Sequence, residues 1–114
     1  AGCTALFLRT ARNPTSGKEV THLEYEAFPA MVESELKKIA AEVAERHKVL
    51  RFALEHSVGK VPVEGCSVAL AIASAHRSAG FAASIEFMDA LKERVPIWKK
   101  ECYLDGSSWL GKGS

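Results

Sequence analysis

The segment at residues 66–74, CSVALAIAS, constrains the fold of this chain most, because nearly every side chain in it is apolar. A strand with one face in water alternates apolar and polar residues, whereas a strand covered on both faces does not. The segment is therefore predicted to be a central strand with cover on both faces. A chain of 114 residues provides a single domain, 1–114, with a modest core around it.

Two amphipathic helices are predicted on either side of this strand in the sequence. The first opens at Pro29 and covers residues 29–47, with its apolar stripe at Val32, Leu36, Ile39 and Val43, spaced i, i+4, i+7, i+11. The second covers residues 75–93, with Ser74 as its N-cap, and ends before Pro96. Its predicted buried stripe is Phe81, Ala82, Ile85, Met88 and Leu91.

The remaining apolar and alternating stretches predict strands at 3–9, 19–28, 49–59 and 97–104. Turn-forming residues predict a loop at 13–18, a connector at 60–65 and a turn at 105–108. In the connector, Pro62 restricts any short pairing to a sheet edge. The order β–β–α–β–β–α–β predicts an α+β fold with a mixed or antiparallel sheet and two main helices.

Composition excludes several classes of function. The formal net charge is +1, so we expect no general attraction to nucleic acid or membrane. No apolar run approaches the roughly 18 residues of a spanning helix, and the N-terminus has no signal-peptide pattern. Because the chain opens almost directly in a strand, we expect it to start inside a longer natural protein.

The three cysteines, Cys3, Cys66 and Cys102, are odd in number, far apart and without C-x-x-C spacing. This pattern argues against a disulfide framework or a zinc knuckle, and no metal site is expected. Buried thiols in a reducing cytosol are the simpler interpretation. A catalytic thiol is the alternative, for which only Cys102 lies near other candidate residues.

The dipeptide His76-Arg77 stands at the predicted start of the second helix. Cations are disfavoured there by the helix dipole, but unpaired N–H groups, an arginine and a histidine together can hold an anion. The alternative is that both side chains extend into solvent. The sequence leaves both interpretations open.

Two lysines form a second candidate group. Lys92 falls in the last turn of the second helix, where a cation also suits the helix dipole without any further role. Lys99 and Lys100 follow each other on a predicted strand and must point to opposite faces. Only one of them can share a pocket with Lys92, and the other shares a surface with Trp98.

Arg12 is a weaker third candidate, at the end of the first strand and before a loop. His76 and Lys92 are separated by 16 residues of one helix, roughly 24 Å at about 1.5 Å per residue. They cannot contact one small ligand within a single chain. Either there are two sites, or a two-fold dimer brings His76 and Arg77 of one protomer to the lysines of its partner.

Four segments together resemble the large, catalytic subunit of molybdopterin synthase. They are LEYEAFPAM at 23–31, SAHRSAGFAA at 74–83, DALKERVPIWKKE at 89–101 and DGSSW at 105–109. The resemblance covers the chain from about Gly2 to Trp109. Family members usually begin with about two dozen further residues, so an N-terminal segment is expected to be missing.

The resemblance implies an α/β hammerhead-type fold and a cytoplasmic sulfurtransferase of molybdenum cofactor biosynthesis, without a cofactor of its own. It would convert cyclic pyranopterin monophosphate into molybdopterin by installing two dithiolene sulfurs. The sulfur would arrive as a thiocarboxylate on the C-terminal Gly-Gly of a small ubiquitin-like subunit. The large subunit would form a homodimer within a heterotetramer.

The same resemblance implies site residues. Lys92 and Lys99 match the family's catalytic lysines, whereas Arg12, His76 and Arg77 match its substrate-binding residues. Arg9 is a departure, because glycine is common near that position. Two alternatives are kept: a non-catalytic scaffold that binds an acidic or extended partner tail, and an anion- or nucleotide-binding domain of unrelated chemistry.

Overall fold

A computed structural model describes residues 1–12 and 17–112. The elements in chain order are β1 (Cys3–Thr10), β2 (Val20–Ala27), α1 (Pro29–His47), β3 (Arg51–His56), β4 (Gly59–Pro62), β5 (Cys66–Ser74), α2 (Arg77–Arg94), β6 (Ile97–Tyr103) and β7 (Ser108–Lys112). Most of the loop predicted at 13–18 lies outside the described residues.

The strands form two antiparallel sheets. Sheet 1 has the order β1-β5-β3, and sheet 2 has the order β4-β2-β6-β7. The predicted α+β class with two main helices is confirmed, and the strand pairs that the structure describes are all antiparallel. Two short strands, β4 and β7, were missed by the prediction. Both lie at the edges of sheet 2, where β4 ends at the predicted edge residue Pro62.

Helix α1 has the predicted bounds and the predicted buried stripe. Ile39 and Val43 are fully buried, and Val32 and Leu36 pack against the same core. Proline occupies the first turn, where its missing N–H costs nothing. The helix ends at Lys48, whose left-handed backbone (φ 53°) lets its N–H bond to the carbonyl of Ala44.

The buried stripe of α2 agrees with the predicted one at Leu91 and at Met88, which packs against the core, and differs from it elsewhere. Gly80, Ala83, Phe87 and Leu91 are buried, whereas Phe81 and Ile85 are 59% and 66% exposed and Ala82 is exposed. The helix is rotated so that its small residues face sheet 1, where a Cβ on Gly80 would come within 2.9 Å of the Ser74 hydroxyl. Close packing at the start of the helix therefore selects Gly80 and Ala83 for the buried side over the bulkier Phe81 and Ile85.

The start of α2 also differs from the prediction. Its N-cap is His76, in an extended conformation and without a side-chain capping hydrogen bond, and the helix begins at Arg77. Ser74 is the fully buried last residue of β5, and its hydroxyl donates to the carbonyl of His76 at 2.8 Å. The serine therefore holds the strand-to-helix turn instead of capping the helix N–H groups.

Strand β5 is central, as predicted, but the protomer covers only one of its faces. Val68, Leu70 and Ile72 are fully buried, and Phe87 of α2 packs beside them against Phe52 with ring centroids 5.4 Å apart. Along the opposite face, β5 contributes half-buried alanines, and Leu6 and Leu8 of β1 are 66% and 55% exposed. We call this surface the open face of sheet 1. It has an apolar centre and three polar residues at its ends: Leu6, Leu8, Ala53, Ala69, Ala71 and Ala73, with Thr4, Arg51 and Glu55.

Neither helix of the described chain is long and apolar enough to cross a membrane.

Candidate functional site

The C-terminal end of α2 gathers positive side chains from three elements. Helix α2 follows β5 and runs back along sheet 1, with Gly80 over the beginning of β1 beside Cys3. Its 18 residues span about 27 Å at 1.5 Å per residue, about the length of β1, so Lys92 lies toward the end of that strand. Charges on Lys92 of α2 and Arg9 of β1 both act on Lys99 of β6. These three residues form what we call the lysine site.

Lys99 is largely enclosed, with a side chain only 19% exposed. Burial lowers the pKa of its ammonium group, and the charges of Arg9 and Lys92 lower it further. Glu101 lies two residues further on the same face of β6, with 3.7 Å between its Oε1 and the lysine Nζ. Its negative charge raises the pKa of Lys99 and so opposes these effects. A lysine in such surroundings loses its proton more readily than a free lysine, which makes it a candidate proton donor or nucleophile.

Glu101 is itself held in place by Tyr103, whose hydroxyl donates to its Oε2 at 2.7 Å. This bond raises the pKa of Tyr103 and keeps the phenol protonated. The carboxylate is 12% exposed, so its position beside the lysine is well defined. The series Tyr103–Glu101–Lys99 therefore orients the ammonium group along one face of β6.

Lys100 points away from the lysine site, as the strand period requires. It pairs with Glu24 across β2, on the face of sheet 2 that also carries the 41% exposed Trp98. The adjacent lysines thus belong to two different surfaces, as the sequence predicts.

His76 and Arg77 lie at the other end of α2, and both are exposed. The helix length between them and Lys92 excludes a shared small ligand within one protomer. The structure therefore keeps the five predicted site residues in at least two places.

Arg12 follows the end of β1 and is exposed. Its neighbour Ala11 is buried and bonds through its backbone to Gly65 and Glu64. These two bonds fix the chain where it leaves sheet 1, at the end toward which Lys92 lies. Asn13 and Pro14, which follow, lie outside the described residues.

The cysteines are less buried than the sequence predicts. Cys66 is exposed, Cys3 and Cys102 are half-buried, and all three are free thiols. Cys102 faces away from Lys99 and donates its S–H to Glu24 Oε2 at 3.1 Å. Burial, followed by this hydrogen bond, raises the pKa of the thiol, which is the reverse of what a nucleophilic cysteine needs.

Sequence reasoning did not assign a role to Arg9 or Glu101. Glu101 is two residues from Lys99, and Arg9 is three residues before Arg12. The alternation of β6 already places Glu101 and Lys99 on one face. The proximity of Arg9 carried no such signal, because β1 and β6 belong to different sheets.

Comparison of the chain with known proteins identifies its family. A family model described as MoaE protein matches residues 1–94. The molybdopterin synthase catalytic subunit of Homo sapiens is 44% identical over 110 residues, which are 96% of this chain and 58% of the human protein. The chain thus spans less than two thirds of that relative.

Solved structures give the same result. The X-ray structure of molybdopterin synthase from Staphylococcus aureus matches with a TM-score of 0.91 and 32% identity, over 96% of this chain and 80% of that one. A chain of the complex of subunits 1 and 2 of molybdopterin-converting factor from Helicobacter pylori 26695 has a TM-score of 0.76 over 91% and 68%; at 18% identity it shows the fold alone. Since the family model matches most of the sequence, this chain belongs to the MoaE protein family.

Proposed function

We propose that this chain is the catalytic subunit of a molybdopterin synthase, which transfers sulfur to cyclic pyranopterin monophosphate to form the dithiolene of molybdopterin. The observation that carries the proposal is the half-buried Lys99, with its lowered pKa, beside Arg9 and Lys92. The relatives named molybdopterin synthase at 44% and 32% identity support it.

The charge distribution suits the two anionic reactants. The net charge of the chain is only +1, so a phosphate and a thiocarboxylate need locally clustered cations. In our proposal Lys92 and Lys99 flank the thiocarboxylate and stabilise negative charge as its sulfur attacks the pterin. Arg12, His76 and Arg77 hold the phosphate.

Because α2 keeps His76 and Arg77 far from the lysine site, the proposal requires a homodimer with shared sites. The open face of sheet 1 supports a second copy as the occupant. Strand β5 has the apolar sequence of a strand covered on both faces, and the protomer covers one. A second copy would bury Leu6 and Leu8, which are otherwise in water.

The sulfur donor in this proposal is a small ubiquitin-like subunit with a C-terminal Gly-Gly thiocarboxylate, in a heterotetramer with the dimer. The human relative at 44% identity is named as a catalytic subunit, which supports a second, partner subunit. We place the reaction in the cytoplasm, where the three free thiols would stay reduced.

The test is reconstitution with a thiocarboxylated partner subunit and the pyranopterin, with dithiolene product as the measurement. Lys92→Ala and Lys99→Ala are expected to lower the rate at least about 100-fold, because each removes charge stabilisation from the reaction. Lys92 is exposed, so its substitution leaves the fold intact, which circular dichroism checks.

Lys100→Ala is the matched control, because it removes the neighbouring charge from the opposite face of β6 and should keep the normal rate. Normal product formation by Lys92→Ala would refute the proposed mechanism. Partner binding without any product from the unmodified chain would favour the scaffold interpretation. Absence of both would favour an anion-binding domain of other chemistry.

A further inference from the structure

A histidine, a glutamate and a cysteine converge on the face of sheet 2 opposite to Lys99. His22 and Glu24 are two residues apart on β2, so they share a face. Cys102 lies on the neighbouring strand β6, directly opposite His22. One donor atom from each residue lies within 4.8 Å of the others, and all three side chains are partly buried. No part of the proposed sulfur transfer uses them.

A β-bulge shapes this cluster. Val20 pairs with Tyr103 and His22 pairs with Cys102, which leaves Thr21 as an extra residue on β2. Its hydroxyl donates to the Cys102 carbonyl at 3.1 Å and lies 3.0 Å from His22 Nδ1. A hydroxyl has one hydrogen to donate, so toward the imidazole Thr21 acts as the acceptor and Nδ1 carries the proton.

This assignment leaves His22 Nε2 as the nitrogen that faces Glu24, with 3.3 Å between Nε2 and Oε2. In the neutral ring Nε2 then has a lone pair that points at a carboxylate oxygen. Two acceptors at this distance repel each other unless a proton or a cation lies between them. The Cys102 Sγ lies 3.1 Å from the same Oε2.

We propose that His22, Glu24 and Cys102 form a Zn²⁺ site. Imidazole, thiolate and carboxylate are the three ligand types that zinc takes in proteins, with bonds of about 2.0–2.3 Å. Tetrahedral zinc bonds of this length place donor atoms about 3.3–3.6 Å apart, so the imidazole nitrogen and the sulfur need to approach by at most about 1.3 Å while the sulfur and the carboxylate oxygen separate slightly. Water fills the fourth corner. As the zinc–sulfur bond forms, the thiol proton leaves to solvent.

Two features of the surroundings bear on this site. Thr21 supplies the outer hydrogen bond that metal-binding histidines usually have on their second nitrogen. Lys60 and Lys100 pair with Glu24 from either side, and their charges repel a cation. The two anionic ligands, the Cys102 thiolate and the Glu24 carboxylate, balance the charge of the zinc ion.

The test is titration of the reduced chain with Co²⁺ as a spectroscopic probe, followed by displacement with Zn²⁺. We expect one equivalent of Co²⁺ to produce a thiolate-to-cobalt charge-transfer band and tetrahedral d–d bands, which Zn²⁺ removes. Cys102→Ala is expected to abolish the charge-transfer band. Thr21→Val keeps a β-branched side chain and is expected to weaken Zn²⁺ affinity about 10- to 100-fold, because it removes only the bond that orients His22.

Cys66→Ala is the matched control, since it removes an exposed thiol elsewhere and should leave the spectrum unchanged. Circular dichroism of each variant separates loss of binding from loss of folding. The proposal is overturned by absence of a charge-transfer band in the folded unmodified chain. It is equally overturned by a band that survives Cys102→Ala, or by Zn²⁺ affinity that Thr21→Val leaves unchanged. The titration needs neither partner subunit nor pterin, so its outcome is independent of the sulfur-transfer test.

Discussion

At the scale of single residues, the surroundings of Lys99 decide what the lysine site can do. Burial is the main cause of its lowered pKa, followed by the charge of Arg9, whereas Glu101 opposes both. The folded protein therefore holds this proton less tightly than the unfolded chain does. Because the unfolded state binds more protons at alkaline pH, this residue makes stability rise with pH between the folded and unfolded pKa values. Below the pKa of the folded state, the lowered pKa of Lys99 destabilises the folded protein by its full amount.

Arg9→Gln is expected to raise the pKa of Lys99 toward its ordinary value, because a positive neighbour is removed while burial stays. The measurement is an NMR titration of the lysine side-chain signals. The same variant should show a weaker rise of stability at alkaline pH. Arg51→Gln, an exposed arginine on β3 that does not act on this lysine, is the control. An unchanged Lys99 pKa in Arg9→Gln would show that the two charges do not interact.

At the scale of elements, the approach of α2 to sheet 1 determines how the two ends of this helix are placed. Gly80 allows the contact, because any side chain there meets the Ser74 hydroxyl and the Cys3 sulfur. The same hydroxyl holds the His76 carbonyl at the start of the helix. Packing at this one point therefore fixes both the rotation of α2 and the position of His76-Arg77.

Gly80→Ala is expected to lower the free energy of unfolding by about 1–2 kcal/mol, since overpacking outweighs the better helix propensity of alanine. The added Cβ lies 2.9 Å from the Ser74 Oγ and can be relieved only by disturbing the bond to His76. Urea denaturation gives the measurement. Ser78→Ala, on the exposed side of the same turn, should change stability by less than about 0.5 kcal/mol. A Gly80→Ala protein as stable as the parent would mean that the helix does not approach the sheet this closely.

At the scale of the whole molecule, the open face of sheet 1 and the length of α2 both support the proposed dimer. The centre of the open face is apolar, with Leu6 and Leu8 exposed, where a solvated antiparallel sheet would be polar. The helix separates the two groups of candidate residues by more than any small ligand spans. In the proposed dimer, a second copy would cover the apolar centre of this face and would contribute the opposite end of its own α2 to the lysine site.

Mixing inactive Lys92→Ala and Arg77→Ala chains is expected to restore activity. Each mixed dimer then has one site with both residues intact and one with neither, so random exchange gives about a quarter of the normal rate. The measurement is dithiolene formation after denaturation and co-refolding of the two variants. Each variant refolded alone is the control and should stay inactive. No recovery in a mixture shown to contain mixed dimers would refute a site shared between two protomers.

The sequence by itself determined the features that depend on local periodicity. Helix α1 from Pro29 to His47, β5 as a central strand, and Lys99 and Lys100 on opposite faces all follow from the periods of helix and strand, which backbone geometry imposes. The number of residues between His76 and Lys92 also predicted that they lie far apart, because they stand at opposite ends of one helix.

Only the tertiary structure decided which apolar stripe of α2 is buried, because Phe81 and Gly80 differ by about 100° of helix rotation and a neighbouring sheet selects between them. The tertiary structure also determined that β4 and β7 form strands. Each is short and is stabilised as a strand by pairing with its neighbour in sheet 2, β2 or β6. The meeting of His22, Glu24 and Cys102 depends on the register of β2 against β6 and on one bulge at Thr21. Contacts between residues some 80 positions apart arise from packing of whole elements, and local sequence patterns carry no information on that register.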